Sequence, residues 1–322
     1  MGYGAVMFAY LWLLTGWAGW ALAQEPTSEP EPALESEAVP EAAAVARTGA
    51  WSGLGQAALA GRYLQHAVWL DLEQDGPALA LFQPELSSPG HGALLLLVDE
   101  GQTADEGLAG ALRQALAERG FAVMTVAAGL PPEAVRRQRL LPRIAEPEPE
   151  ALASPMQDTA GAAATIDVAA SGALDDAVSA YRNRVNALLA AGFAELQRRG
   201  YERPGLSGVG WSADYVASWA SGNASVSGVV WIAPQFALAR EAELPSLLKT
   251  ENNDGAVPVL DLQPPQARAS GKARAGAFAR AGIASYQRQS VVMAEPPRAV
   301  DAERVASRIS AWLQRRLSPA SR

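Results

Sequence analysis

The segment Gly205–Tyr215, "GLSGVGWSADY", changes its backbone period within a few residues. Its first half is small and apolar, as a short buried strand requires. From Ser212 the run "SADYVASWAS" reads as a helix, with a polar first turn and apolar side chains at three- and four-residue steps. A strand that passes into a helix through Gly210-Trp211-Ser212-Ala213-Asp214 needs a sharp turn. Gly210 and Ser212 fit the first two fixed positions of G-x-S-x-G, a turn that projects a serine from a sheet edge, and Asp214 stands where the last glycine belongs.

Both sides of this turn read as alternating strands and helices. Upstream, "GALLLLVDEG" holds five consecutive large apolar residues, Leu94 to Val98, which predicts a strand buried on both faces of a parallel sheet. Leu108, Leu112 and Leu116 then fall four apart in a helix stopped by Gly120, and "FAVMTVAA" is the next strand, completing a β-α-β unit. Before them "HAVWLDLE" and "PALALFQP" flank Gly76-Pro77 as an antiparallel hairpin. Residues 130–170, rich in Pro, Ala and charge, read as a long irregular insertion. From Ser171 a helical stripe of Leu174, Val178, Tyr181, Val185, Leu188 and Leu196 runs to Gly200. Downstream, "VSGVVWIAP", "VPVLDLQP" and "ASYQRQSVVMA" are strands, and Val305, Ile309, Trp312 and Leu313 mark a last helix. The expected fold is α/β, a mostly parallel sheet of about eight strands flanked by helices with an antiparallel N-terminal hairpin. One domain is expected over residues 60–322.

The first residues obey different rules. Residues 1–23 carry no charged side chain and end in Ala21-Leu22-Ala23, the small-x-small signature of a cleaved secretory signal. Cleavage after Ala23 and a periplasmic location are therefore expected, with an uncleaved membrane anchor as the alternative, since about 20 apolar residues span a bilayer. Residues 24–59 are Glu-, Pro- and Ala-rich and read as a disordered tether. They hold six glutamates between Glu25 and Glu41; without these the net charge of −8 falls to −2. A net charge of −8 argues against nucleic acid as a partner, since a phosphate backbone demands an excess of clustered Lys and Arg. The chain has no cysteine, which removes disulfides, thiolate chemistry and lipidation at that residue.

A hairpin entry, a parallel α/β sheet and a Gly-x-Ser turn together resemble the α/β-hydrolase superfamily over most of residues 60–317. Within it, the exported chain with an acidic tether is similar to an uncharacterised bacterial family, domain of unknown function 3530. The resemblance puts Asp99-Glu100-Gly101-Gln102 at the oxyanion loop and Gly210, Trp211, Ser212, Ala213 and Asp214 at the nucleophile elbow. It also implies a histidine after the last strand, where this chain reads "VVMAEPPRAVDAE".

The chemistry-bearing positions depart from that pattern. The only histidines are His66 and His91. His91 precedes a strand whose far end leads to the site, which places it about 20 Å away at 3.3 Å per residue, against the ~3 Å a base requires. His66 also opens its strand. Asp261 lies inside a strand rather than in the loop after it; Glu295 and Asp301 have no histidine to orient. Asp99 and Glu100 place negative charge where donors for a developing anion are needed. Ser212 is thus read first as a structural turn serine and second as a nucleophile, with Asp214, Glu100, Lys249 or Lys272 as substitute bases. Asp99, Glu100 and Asp105 are read as a solvated loop ahead of a cation site. No zinc spacing and no phosphate loop occurs, "GVGWSA" lacks the third dinucleotide glycine, and no cofactor or metal is expected. Trp211, Trp219, Trp231 and Trp312 are read as core aromatics. The leading expectation is a degenerate hydrolase fold that binds a small molecule or an envelope protein. The alternative is a weak serine esterase or acyl hydrolase using Ser212.

Overall fold

A computed structural model of the chain describes residues 54–73, 75–140, 164–249 and 256–317. The expected signal segment, most of the expected tether and the middle of the expected insertion lie outside the described residues.

Eight strands form one sheet: β1 (Ala67–Asp71), β2 (Pro77–Gln83), β3 (Gly92–Leu97), β4 (Phe121–Val126), β5 (Gly205–Val209), β6 (Val229–Ile232), β7 (Val259–Gln263) and β8 (Tyr286–Ser290). Their order is β1-β2-β4-β3-β5-β6-β7-β8. β1 pairs antiparallel with β2, and β2 antiparallel with β4; every other pair is parallel. The helices are α1 (Leu54–Arg62), α2 (Ala109–Ala117), α3 (Glu133–Leu140), α4 (Ala164–Arg198), α5 (Ser212–Ser221), α6 (Leu238–Leu248), α7 (Arg268–Arg280) and α8 (Ala302–Leu317).

The leucine run explains why the sheet is covered on both sides. Leu95 and Leu97 point to one face, into a core with Val185 and Leu188 of α4, Val216 of α5, Leu244 of α6 and Phe278 of α7. Leu94 and Leu96 point to the other, against Leu112 and Leu116 of α2 and Ile309, Trp312 and Leu313 of α8. Side-chain alternation in a strand imposes this division. Each fully buried leucine contributes about 1.5–3 kcal/mol relative to exposure. Trp231 and Trp312 are fully buried, one on each face, whereas Trp211 and Trp219 are half-buried.

Three expectations change. Residues 130–170 are not irregular throughout, because α3 occupies Glu133–Leu140. Pro131 and Pro132 precede it, Glu133 sits in its first turn and Arg137 and Arg139 in its last, the charge order a helix dipole favours. The long helix does not begin at Ser171 but at Ala164, through the Ala-rich run "ATIDVAAS", whose residues propagate a helix at little cost. The tether's expected limit at residue 59 falls inside α1, whose Leu59 and Ala60 pack with Leu79, Leu81 and Ala104.

Candidate functional site

The strand-turn-helix lies where β5 leaves the sheet. Val209 is its last paired residue, opposite Ile232, and the Gly210 N–H donates to the Ile232 carbonyl at 3.0 Å. The chain then reverses into α5. The residue at the sharp bend is Gly210, with φ of +56°, and not Ser212. The frame of the elbow is therefore Gly208-x-Gly210-x-Ser212, two residues earlier than the expected one. Gly208 permits the close approach of helix to strand: a Cβ there would lie 2.7 Å from the Ser212 carbonyl oxygen and 2.8 Å from the Ala213 backbone nitrogen. Gly210 is thus the residue at the strand-to-helix bend.

The space above Gly210 is filled from across the sheet. A Cβ built on Gly210 would fall 2.4 Å from Cγ and both carboxylate oxygens of Asp99. Asp99 follows β3 and its Oδ1 accepts two backbone hydrogen bonds, from the Trp211 N–H at 3.0 Å and the Glu100 N–H at 2.9 Å. In the elbow architecture, an oxyanion hole consists of the N–H after the nucleophile position and an N–H from the loop after the third strand. Trp211 and Glu100 occupy those two places. Asp99 supplies the oxygen that both N–H groups bind. Burial pushes the Asp99 carboxyl above its usual range and the Glu100 charge adds to this, while the two N–H bonds oppose the shift without cancelling it.

Ser212 is fully buried, and its Oγ donates to the Val98 carbonyl at 2.5 Å. It ties the first residue of α5 to the end of β3 and points away from solvent. Ala213 is buried in the α4 to α7 core. Asp214 accepts from Arg240 of α6 at 2.6 Å and does not crowd the bend. The oxyanion-loop residues are also engaged: the Gly101 N–H donates to the Gly129 carbonyl at 3.0 Å, and the Gln102 N–H to the Asp99 carbonyl at 3.2 Å.

A second layer covers the turn. The Glu100 carboxylate takes both Nη atoms of Arg139 in a bidentate pair. Arg139 also donates to the Tyr215 hydroxyl at 3.0 Å, and its guanidinium lies 4.4 Å from the Trp211 ring centroid. Tyr215 packs edge-on against Tyr181, whose hydroxyl donates to the Gly129 carbonyl at 3.3 Å. Burial pushes the Tyr215 hydroxyl up to about 12 and raises Tyr181 as well. Burial alone lowers Arg139, but Glu100 overrides it and the guanidinium is held above its usual range. The sequence contains no motif that announces Arg139, because it lies in the stretch expected to be irregular. The repeated Gly-x-Gly-x-Ser spacing was the available signal for Gly210.

The remaining acid and base candidates are dispersed. Asp105 does not join Asp99 and Glu100 as a solvated or cation-binding loop: it pairs with Arg113 at 2.7 Å and accepts from the Tyr63 hydroxyl at 2.5 Å. Among the described residues no three His, Asp or Glu side chains converge on a metal-sized site. His91 sits at the start of β3, ring against Phe121, at the opposite end of the strand from Asp99. His66 Nδ1 lies 3.0 Å from the Phe82 carbonyl beside a cleft of about 340 Å³ shared with Tyr63, Asp105 and Arg113. Asp301 Oδ2 accepts the Ala294 and Arg298 N–H groups. Asp261 is fully buried within β7 and accepts from Gln263, Arg274 and Tyr286 at 2.7, 3.1 and 2.6 Å.

A family model described as "Protein of unknown function (DUF3530)" matches residues 5–315. The chain belongs to that family. No curated protein matches it significantly. Among solved structures, it is similar to the esterase domain of a Rhodothermus marinus protein, at 14% identity over 78% of this chain and 99% of that one, with a TM-score of 0.50. Two further neighbours are Est1E from Butyrivibrio proteoclasticus (11% identity, 79% and 100% covered, TM-score 0.49) and a dienelactone hydrolase from Anabaena variabilis (12%, 78% and 96%, 0.48). The fold of this DUF3530 member is the α/β-hydrolase fold; at these identities the likeness extends to fold alone.

Proposed function

We propose that this chain is an exported α/β-hydrolase-like protein that acts by binding, in the bacterial envelope, and performs no acyl transfer at its elbow. The observation that carries this reading is Asp99: its carboxylate fills both the nucleophile's place above Gly210 and the N–H pair of Trp211 and Glu100. Loss of a single oxyanion donor costs an enzyme about 10²–10³ in rate; here both donors already hold a negative oxygen. Ser212 adds support, since a buried hydroxyl bonded to a backbone carbonyl has no base to activate it. Export rests on the apolar residues 1–23 and their Ala21-Leu22-Ala23 ending.

A fluorophosphonate probe tests the reading. The expected result is no covalent labelling of the native protein. Labelling that disappears in Ser212→Ala would establish the competing serine hydrolase. Export is checked by sequencing the N-terminus of protein recovered from the periplasmic fraction, expected to begin at Gln24.

A further inference from the structure

The far edge of the sheet carries a distinct chemistry. From Leu262 to Ala294 the chain contains no Asp or Glu but has Arg268, Lys272, Arg274, Arg280 and Arg288. This stretch builds α7 and the edge strand β8. Arg274 is buried and paired with Glu241 and Asp261. The other four are exposed, and none makes an ion pair among the described residues. Some surface cations elsewhere are matched, as in Arg119 with Glu303 or Arg198 and Arg199 with Glu195, while Arg308, Arg315 and Arg316 of α8 also make no ion pair among the described residues, so it is the 33-residue absence of any acid that sets this edge apart.

The cations border a groove. Between α7 and β8 lies a groove of about 430 Å³ lined by Ala275, Phe278, Ala279, Ile283, Tyr286 and Arg288, with Gly282 and Ala284 also at its wall. Phe278 stacks on Tyr286 at 4.2 Å to form its floor. Arg288 is two residues from Tyr286 on the strand, so it stands on the same face of the sheet. On the helix, Arg268, Lys272, Ala275 and Ala279 follow the i, i+4, i+7, i+11 spacing of one stripe. Ala275 and Ala279 line the groove, so Arg268 and Lys272 continue that stripe past its end. The groove therefore has a mixed lining of small apolar residues with Tyr286 and Arg288, and cations continue from it along α7.

We propose that this edge docks on the surface of an anionic phospholipid bilayer. The headgroup phosphates meet Arg268, Lys272, Arg280 and Arg288, and an acyl segment lies against the accessible lining residues Ala279, Ala284 and Tyr286. The unopposed charge favours a lipid surface, because cations without neighbouring acids act together on an extended negative plane. A groove lined by alanine and glycine admits a chain of methylenes and offers little to hold a polar ligand. The proposal uses none of the elbow residues, so it stands whether or not Ser212 reacts.

The test is sedimentation of the mature protein, from Gln24 to its end, with vesicles of phosphatidylglycerol and phosphatidylcholine, and with phosphatidylcholine alone. Binding is expected only to the anionic vesicles, and weaker at high salt. Each cation near such a surface is worth about fivefold, so Arg268→Glu, Lys272→Glu and Arg288→Glu together are expected to lower binding by about a hundredfold or more. Arg268→Gln, Lys272→Gln and Arg288→Gln serve if the reversal variant misfolds, as judged by circular dichroism. Reversal of Arg308 and Arg315 on α8 is the control and should leave binding unchanged. Starting the protein at Gln24, the mature end proposed above, keeps the apolar residues 1–23 from contributing to either vesicle type. Equal binding to both vesicle types overturns the proposal. So does a groove variant that binds as well as the α8 control, or capture of an acidic protein without any vesicle binding.

Discussion

Substituting Gly210 by Ala tests the central geometry. Two costs arise at once. The positive φ of +56° is open to glycine but costs an L-residue about 1–2 kcal/mol. The new methyl would also lie 2.4 Å from the Asp99 carboxylate, which must swing away and give up its bonds to Trp211 and Glu100. Bonds to a charged acceptor are worth about 1.5–3 kcal/mol each, so the lower bound for the pair is about 3 kcal/mol. Gly210→Ala should therefore lose about 4–5 kcal/mol, and Asp99→Ala about 3 kcal/mol by stranding the same two donors. The double variant pays the second cost once. It should resemble Gly210→Ala alone, with a coupling of about 3 kcal/mol, near the upper end for residues in contact. Urea unfolding followed by tryptophan fluorescence measures all four proteins, provided the m-values agree. If the single losses add to within about 0.5 kcal/mol, Asp99 does not occupy the place above Gly210.

Other substitutions probe the surrounding charges. The raised Asp99 carboxyl means that its charged form is less favourable in the folded than in the unfolded chain, so this group's contribution to stability is fully present at low pH and lost as pH rises through the folded value. Asp99→Asn keeps an acceptor oxygen and removes the charge; it should raise the melting temperature at neutral pH, with a gain that shrinks in acid. Arg139→Met strands the buried Glu100 carboxylate and should cost about 3 kcal/mol or more, much of it recovered by adding Glu100→Gln, measured by thermal unfolding. Asp261→Ala leaves the buried Arg274 to Glu241 alone and should cost about 3–5 kcal/mol in urea unfolding, whereas Asp214→Ala, at the partly exposed Arg240 pair, should cost about 1 kcal/mol or less.

Much of the architecture was present in local pattern. Continuous apolar runs such as Leu94 to Val98 predict strands buried on both faces, and the Gly76-Pro77 break predicts the hairpin, because burial and turn chemistry act over a few neighbouring residues. The lack of a suitably placed histidine also follows from the sequence, since strand length alone separates His91 from the turn. Residues 133–140 were illegible: the two prolines before them and four charges in eight residues resemble a loop, and Arg139 becomes informative only beside Glu100 and Tyr215.

The sequence by itself determined that a strand turns sharply into a helix between Gly205 and Tyr215. It did not determine which residue stands at the bend. The two frames, centred on Gly210 or Ser212, differ by two residues, and a shift of two leaves the side-chain alternation of a strand unchanged. The tertiary structure chose between them through the pairing of Val209 with Ile232, which ends β5 one residue before Gly210. It also decided what fills the space above that glycine. Asp99 is distant in the chain, and its carboxylate meets the Trp211 N–H only because β3 and β5 are neighbours in the sheet.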